Sequence, residues 1–182
     1  MGAPIHTVAG KRILITGAAM GMGKIYAQRA VLEGAAAVVL WDINQAALQA
    51  TVAELKSKGG KVYSYIVDVS SREAIEQAVE KVRQDVGPID ILINNAGTIR
   101  RAPAAEHSDE DWDLVLAVDL SSAFRMSREV GRRLIARKAR GKIVNTCSLL
   151  SFQGGILVPS YAAAKGGLVS LDAELSSIAD PY

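Results

Sequence analysis

Short apolar runs alternate with longer segments of helical periodicity along this chain. Segments that are apolar on both sides are typical of parallel strands covered by helices. The apolar runs, rich in Ile and Val, predict strands over Lys11–Thr16, Ala37–Trp41, Val62–Val67, Ile89–Asn94 and Ile143–Cys147. The periodic segments predict helices over Gly23–Glu33, Gln45–Ser57, Arg72–Asp85, Asp109–Arg137 and Ser160–Ala179.

Glycine and serine mark the boundaries of these helices. Gly34 and the pair Gly59-Gly60 stand where helices should end, and Ser71 and Ser108 stand where helices should begin. Strand and helix alternate with the spacing of right-handed crossover units. The sequence therefore predicts one α/β domain over residues 1–182, built on a doubly wound, Rossmann-like parallel sheet.

Composition narrows the class of protein. The chain has 182 residues, 49% of them hydrophobic, which suffices for one sizeable core. The net charge is only +2 and its basic residues are scattered, so no nucleic-acid partner is expected. Its longest apolar run, Ala35–Trp41, is far shorter than the ~20 residues of a membrane span. With one cysteine, two histidines and no signal-peptide pattern, we expect a cytoplasmic protein without disulfide, metal site or membrane association.

A glycine-rich turn joins the first predicted strand to the first predicted helix. Glycines at this place permit a tight turn and let backbone N–H groups approach a pyrophosphate at the helix N-terminus. The alternative is a tight turn that binds nothing. The candidate cofactor-binding residues here are Gly17, Gly21, Met22 and Gly23.

Asp42 ends the second predicted strand, twenty-five residues after Gly17. A carboxylate there can accept hydrogen bonds from both hydroxyls of an adenosine ribose and would repel a 2′-phosphate. No Lys or Arg stands in the glycine-rich turn or just after Asp42 to bind that phosphate, so NAD is the expected cofactor rather than NADP. Asp42 could also serve as the N-cap of the next helix.

Two further strand ends should face the same crevice, since carboxyl ends of parallel strands share one edge of the sheet. The turn Asn94-Asn95-Ala96-Gly97 ends the fourth strand, and its small residues would let the backbone approach a cofactor. Asn side chains there can tie neighbouring strands together. Asp68 and Val69 end the third strand, at the adenine end of the crevice, although Asp68 could instead cap a helix.

Tyr161 and Lys165 stand at positions i and i+4 of the last predicted helix, which places them on one face. An ammonium beside a phenol favours the phenolate and makes tyrosine usable as an acid/base. Tyrosine normally ionises near pH 10, so a shift of roughly three units requires about 4 kcal/mol. Ser148 lies thirteen residues upstream, after the fifth strand.

Together these motifs resemble those of the short-chain dehydrogenase/reductases, in order and spacing, from about residue 9 to residue 170. The resemblance implies an oxidoreductase that interconverts a secondary alcohol and a carbonyl with NAD. Tyr161 would be the acid/base and Lys165 would favour its phenolate and hold the nicotinamide ribose. Ser148 would orient the substrate oxygen. The resemblance also implies a homodimer or homotetramer formed through the fourth and fifth predicted helices.

One position departs from the pattern of that family. Asp119 stands where the family usually carries an Asn that takes part in a proton relay, so it is counted here with the catalytic residues. An ionised carboxylate accepts hydrogen bonds but donates none. Asp119 could pair with Lys165 and oppose the activation of Tyr161, or it could replace Asn in holding a water molecule.

The chain is also shorter than most members of that family, which continue beyond the Tyr/Lys helix with two more strands and a substrate-covering segment. We therefore expect a sheet truncated after the fifth strand and fifth helix, with an exposed edge and apolar face. The alternative to an active enzyme is a non-catalytic dinucleotide-binding fragment or a recombined chain.

The second half carries a narrower resemblance. Residues 94–101 and 146–162 resemble 2-dehydro-3-deoxy-D-gluconate 5-dehydrogenases and gluconate dehydrogenases, which implies a sugar acid or polyol as substrate. Arg100 or Arg101 could form a bidentate pair with a sugar-acid carboxylate, and Gln153 could bind hydroxyls. Both arginines could instead be exposed loop residues. The first ninety residues resemble another branch of the family, which acts on lipid-like or small carbonyl compounds.

Overall fold

The computed structural model describes residues 7–179, and side chains within residues 7–172. The described residues form one five-stranded parallel sheet in the order β3-β2-β1-β4-β5, flanked by helices. The doubly wound α/β fold is therefore confirmed. The strands are β1 (Arg12–Thr16), β2 (Ala37–Asp42), β3 (Val62–Ile66), β4 (Ile91–Asn94) and β5 (Lys142–Asn145).

The helices lie close to their predicted positions, with one difference. The predicted single helix over Asp109–Arg137 is interrupted by a π-helical segment at Ala117–Ser121. The hydroxyl of Ser122 donates a hydrogen bond to the carbonyl of Val118, a back-bonding that bends helices. The helices are α1 (Gly21–Leu32), α2 (Gln45–Ser57), α3 (Arg72–Asp85), α4 (Asp109–Leu116), α5 (Ser122–Ala136), α6 (Leu150–Gln153) and α7 (Pro159–Ala179).

Each face of the sheet has its own core. Alternate residues of β1 and β2 point to opposite faces, as strand geometry requires. Leu14, Val39 and Trp41 pack on the α3 and α5 side, whereas Ile13 and Leu40 pack on the α1 and α2 side. Burying a large apolar side chain contributes about 1.5–3 kcal/mol to the free energy of unfolding. The buried side chains of the central strands therefore stabilise the fold strongly.

Several predicted helix boundaries are confirmed. Gly34 and Gly59 follow α1 and α2 with φ of 78° and 83°, a conformation that glycine adopts without strain. Ser71 and Ser108 cap α3 and α4 by accepting hydrogen bonds from the backbone N–H groups three residues later.

The sheet order fixes where a crevice lies. The chain runs from β1 outward to β2 and β3, then returns to place β4 on the other side of β1. The carboxyl ends of β1 and β4 therefore mark the point where the strand order reverses, which is where ligands bind in open α/β sheets. Within residues 7–179, no helix is long and apolar enough to cross a membrane.

Candidate active site

The glycine-rich turn follows β1 and opens α1, as the sequence predicts. Gly17 has φ of 63°, and a Cβ there would lie 2.8 Å from Ala96 Cα. Gly23 packs so closely on the Gly17 carbonyl that no Cβ fits between them. Met20, the N-cap of α1, gives no side-chain hydrogen bond to the first turn, and that turn carries no acidic residue. Its N–H groups are therefore suited to an anion such as a pyrophosphate.

Asp42 lies against this turn at the end of β2. Its Oδ2 accepts a hydrogen bond from Ala19 N at 2.9 Å and its Oδ1 accepts one from Asn44 N at 2.9 Å. The alternative in which Asp42 caps α2 is wrong, because Asn44 is the N-cap and accepts from Ala47 N. The carboxylate is held beside the glycine-rich turn, with lone pairs left for further donors.

The turn after β4 is bonded to the end of β1. The Thr16 hydroxyl accepts hydrogen bonds from Asn95 N and Ala96 N, each at 3.0 Å. The side-chain amide of Asn95 donates to the carbonyls of Thr16 and Gly17, each at 3.1 Å. Sequence reasoning did not single out Thr16, although its place directly before the glycine-rich turn was a usable signal.

Asn94 ties three elements together, as the sequence suggests for an Asn at this place. The side chain is buried, and its amide donates to Ser127 Oγ on α5 at 3.1 Å and to Asn145 Oδ1 on β5 at 2.8 Å. Asn145 in turn donates to Asp172 Oδ1 on α7 at 2.8 Å. This chain of amides links the strand ends to the helix that carries Tyr161.

Asp68 and Val69 follow β3 at the far end of the crevice. Asp68 Oδ1 accepts hydrogen bonds from the backbone N–H and the hydroxyl of Ser70, at 2.9 and 2.7 Å. The alternative that Asp68 caps a helix is wrong, because Ser71 caps α3. Val69 is buried in the core, so only its backbone is available to a ligand.

Tyr161 and Lys165 lie side by side on α7. The ammonium of Lys165 lies 5.6 Å from the centre of the Tyr161 ring and donates to the Thr146 carbonyl at 2.9 Å. Lys165 is buried, with 4% of its surface exposed, whereas Tyr161 is half-buried. Lys165 therefore places a buried positive charge beside the phenol ring, an arrangement that favours a phenolate.

Ser148 follows β5, two residues beyond Thr146, and is half-buried. Its hydroxyl accepts a hydrogen bond from Leu150 N at 3.2 Å, while its own N–H donates to Ser151 Oγ at 3.2 Å. The hydroxyl proton remains available for another acceptor. The Thr146–Lys165 bond brings this strand end to α7, and so brings Ser148 to the helix of Tyr161.

Asp119 lies in the π-helical segment and points at Lys165. Its Oδ2 is 3.3 Å from Lys165 Nζ, without the alignment of a hydrogen bond, and its Oδ1 accepts from Thr98 N at 2.7 Å. Only 1% of Asp119 is exposed. Burial raises the pKa of Asp119 above its usual value, while the Thr98 amide and Lys165 act in the opposite direction. Sequence reasoning identified Asp119 but not Thr98.

The predicted substrate residues lie in two separate segments, the loop after β4 and helix α6. Arg100 Nε forms an ion pair with Asp111 Oδ1 at 3.0 Å, so its guanidinium is partly engaged within the protein. Arg101 is exposed. Gln153 ends α6 and lines an open cavity of about 640 Å³ together with Gly154 and Ile156.

A histidine that the sequence analysis left unassigned lies next to the predicted acid/base. His107 Nε2 is 2.9 Å from the hydroxyl of Ser160, the fully buried residue that precedes Tyr161. Nothing in the local sequence indicates this contact, because fifty-three residues separate the two partners. The bond joins the loop before α4 to the start of α7.

Comparison with known proteins agrees with this arrangement. Residues 11–181 match the family model described as short chain dehydrogenase. The chain is 44% identical over 173 residues to a 2-dehydro-3-deoxy-D-gluconate 5-dehydrogenase of Pseudoalteromonas atlantica, a match covering 94% of this chain and 67% of that protein. One relative thus matches both halves of the chain, which spans about two thirds of that relative's length.

Solved structures at more than 30% identity share the fold, among them the following two. A protein of Beutenbergia cavernae described as an NAD(P) dependent gluconate 5-dehydrogenase, with NADP bound at low occupancy, superposes with a TM-score of 0.88. It is 35% identical, and the match covers 94% of this chain and 67% of that one. An NAD⁺-bound xylitol dehydrogenase gives a TM-score of 0.87 at 34% identity, covering 95% of this chain and 68% of that one.

Proposed function

Because the chain belongs to the short chain dehydrogenase family, we propose that it is an NAD-dependent oxidoreductase interconverting a secondary alcohol and a carbonyl. The observation that carries the proposal is the buried Lys165 ammonium beside the Tyr161 ring, at the crevice that the glycine-rich turn opens. The bound dinucleotide would supply the hydride chemistry. The substrate we propose is a sugar acid or a polyol.

Each residue then has a defined task. In alcohol oxidation Tyr161 takes the hydroxyl proton, and in carbonyl reduction it returns a proton to the substrate oxygen. Ser148 orients that oxygen by hydrogen bonding. Lys165 stabilises the Tyr161 phenolate by its charge and contacts the nicotinamide ribose.

The crevice fits a dinucleotide on several independent features. The uncapped first turn of α1 can bind the pyrophosphate, and Gly17 and Gly23 leave the space that side chains would fill. Asn95 holds the turn after β4 against the glycine-rich turn, so both walls of the crevice are fixed before a ligand binds. Such preorganisation lowers the free-energy cost of binding.

Asp42 supports NAD rather than NADP as the cofactor. Its carboxylate is fixed by Ala19 N and Asn44 N, where a 2′-phosphate would meet its negative charge. Ile43, an exposed apolar residue, follows it and offers no cation for that phosphate. The two structural relatives differ on this point, since one is described with NADP and the other with NAD⁺.

Replacing Asp42 with Asn should weaken NAD binding by roughly 10–100-fold, because hydrogen bonds to a charged group contribute about 1.5–3 kcal/mol each. NADP should bind the variant more tightly than it binds the wild type, because the repulsion is removed. Titration calorimetry with both dinucleotides measures the two changes. Asp113→Asn, an equal charge change at an exposed position of α4, is the matched control. Tighter binding of NADP than of NAD by the wild type would contradict the assignment.

The substrate proposal rests on the names of the relatives and on two exposed residues. The sugar-acid dehydrogenase of Pseudoalteromonas atlantica and the xylitol dehydrogenase act on polyhydroxylated compounds by name. Arg101 could bind a substrate carboxylate, and Gln153 could bind hydroxyls at the open cavity. Arg100 could contribute only if its ion pair with Asp111 rearranges.

The function is tested by following NADH formation with NAD and a panel of aldonates, polyols and simple secondary alcohols. We expect turnover with an aldonate or polyol. A parallel thermal unfolding measurement with and without NAD reports dinucleotide binding independently of turnover. NAD stabilisation without turnover on any substrate would favour the alternative, a non-catalytic dinucleotide-binding protein.

We also propose that the chain forms a homodimer or homotetramer through α4–α5 and α7. Large apolar side chains on α4 and α5, namely Trp112, Leu114 and Phe124, are exposed in the single chain. These exposed apolar side chains are available for contact with a second subunit. Sedimentation velocity of the protein should give a mass of two or four chains, and a monomer at micromolar concentration would contradict this proposal.

A further inference from the structure

Asp119 and Lys165 form an ion pair that is almost sealed from water. Their side chains retain 0% and 5% of their accessible surface, and the two charged atoms lie 3.3 Å apart. Asp119 is also held on its other oxygen by Thr98 N, at 2.7 Å. Gly97 makes room for the carboxylate, since a Cβ at Gly97 would lie 2.9 Å from Asp119 Oδ2. The carboxylate is therefore fixed in place by the turn after β4.

Several groups surround the pair. From α7 the ring of Tyr161 lies 5.6 Å from the Lys165 ammonium, and Asp172 acts on the nearby Cys147. From the end of β5 the Thr146 carbonyl accepts a hydrogen bond from Lys165. Cys147 is the nearby thiol, and burial raises its pKa, so it is neutral at neutral pH. The turn after β4 contributes the Thr98 amide, and the Arg100 guanidinium donates to the Thr98 hydroxyl at 3.0 Å. Asp119, at 3.3 Å, is the carboxylate that the structure places directly against Lys165 among the described residues.

We propose that Asp119 is a positioning residue whose carboxylate offsets part of the Lys165 charge and thereby disfavours the Tyr161 phenolate. This inference rests on the proposed function, since it concerns the acid/base of the proposed reaction. The buried carboxylate lies 3.3 Å from the ammonium, so its negative charge opposes the field that Lys165 exerts on the neighbouring phenol. A neutral amide at position 119 would leave the full charge of Lys165 to Tyr161.

The charge of Asp119 should affect how much of Tyr161 is protonated at a given pH, and so which direction of the reaction is favoured. Carbonyl reduction needs Tyr161 protonated at the start, and alcohol oxidation needs it ionised. With Asp119 ionised, the protonated phenol persists to higher pH. Alcohol oxidation should therefore need a higher pH in this chain than in a variant with a neutral residue at position 119.

Asp119→Asn tests this directly, because the amide keeps an oxygen for Thr98 N and removes only the charge. Tyr161 ionisation is followed by phenolate absorbance, with the signal of the other four tyrosines subtracted by means of Tyr161→Phe. The titration midpoint of Tyr161 should fall by about one pH unit or more, a roughly tenfold change in the phenolate fraction at fixed pH. Asp113→Asn, on the exposed side of α4, should leave the midpoint unchanged.

The pH profile of alcohol oxidation supplies a second readout. Its rising limb should move to lower pH in Asp119→Asn by the same amount as the phenolate titration. Lys165→Met removes the charge through which Asp119 is proposed to act on Tyr161. Adding Asp119→Asn to that variant should therefore no longer lower the Tyr161 midpoint. Lys165→Met alone leaves Asp119 as an unpaired buried carboxylate. If that variant unfolds, the phenolate titration and the pH profile of Asp119→Asn still decide the proposal.

The inference and the proposed function can fail separately. An unchanged or raised Tyr161 midpoint in Asp119→Asn overturns the inference, whatever the turnover. A midpoint that falls equally with and without Lys165 also overturns it, because Asp119 would then act directly on Tyr161. A lowered midpoint in a protein that turns over no substrate supports the inference and overturns the proposed function.

Discussion

Replacing Tyr161 with Phe is expected to lower turnover of an alcohol substrate by roughly 10²–10⁴-fold, the usual contribution of a general acid/base. The phenyl ring keeps the half-buried packing of the side chain on α7 and loses only the group that carries the proton. Folding and dinucleotide binding should therefore persist. The expected result is a large loss of kcat with a protein that NAD still stabilises against heat.

The measurement compares steady-state NADH formation and dinucleotide affinity in the variant and the wild type. Tyr63→Phe is the matched control, since Tyr63 lies on β3, packs against the core and is not part of the proposed site. It should retain full turnover. Substantial activity in Tyr161→Phe would show that another group moves the proton, and the assigned mechanism would then be wrong.

The fold was predictable from the sequence because its signals are local. Parallel strands buried on both faces are continuous apolar runs, and β1 shows this with four of its five residues buried. Ser71 and Ser108 were identified as helix starts because the capping hydrogen bond joins groups only three residues apart in the sequence. Strand ends were less certain: β5 is in place over Lys142–Asn145, two residues short of the predicted end.

The dinucleotide crevice was predictable for a related reason. In a doubly wound sheet, the residue that follows each strand is known to lie at one edge, so Gly17, Asp42 and Asn95 could be brought together without a structure. Their hydrogen bonds were not predictable in detail. Asp42 was assigned to a ligand or a helix cap, whereas it also binds Ala19 N in the glycine-rich turn.

Contacts between distant segments were beyond the reach of sequence patterns. Asp119 lies in the π-helical segment and points at Lys165, and no periodicity in the sequence indicates this widened helical turn. The sequence left two roles open for Asp119, and the 3.3 Å separation favours pairing with Lys165. Arg100 was assigned to a substrate, although Asp111, eleven residues away, is its partner in the fold.

Gly23→Ala is expected to destabilise the protein by about 2–4 kcal/mol and to abolish tight dinucleotide binding. Gly23 has no strained φ, so in an ordinary helix alanine at this position would be better by roughly 0.5–1 kcal/mol. Here the added Cβ would overlap the Gly17 carbonyl and lie 2.7 Å from the Asn95 amide. Neither neighbour can yield easily, because Asn95 Nδ2 is itself bonded to the Gly17 and Thr16 carbonyls.

Steric overlap therefore outweighs helix propensity at this glycine, since forcing a methyl group into packed structure costs about 1–3 kcal/mol and each broken hydrogen bond adds about 1 kcal/mol. Gly131→Ala on α5 separates the two effects, because a Cβ at Gly131 would have no atom within 4 Å apart from its chain neighbours and the backbone of its own helix. That control should be as stable as the wild type or slightly more stable. Denaturant unfolding and NAD titration of both variants measure the difference. Equal stability of Gly23→Ala and the wild type would contradict the close packing of the glycine-rich turn, and with it the geometry on which dinucleotide binding depends.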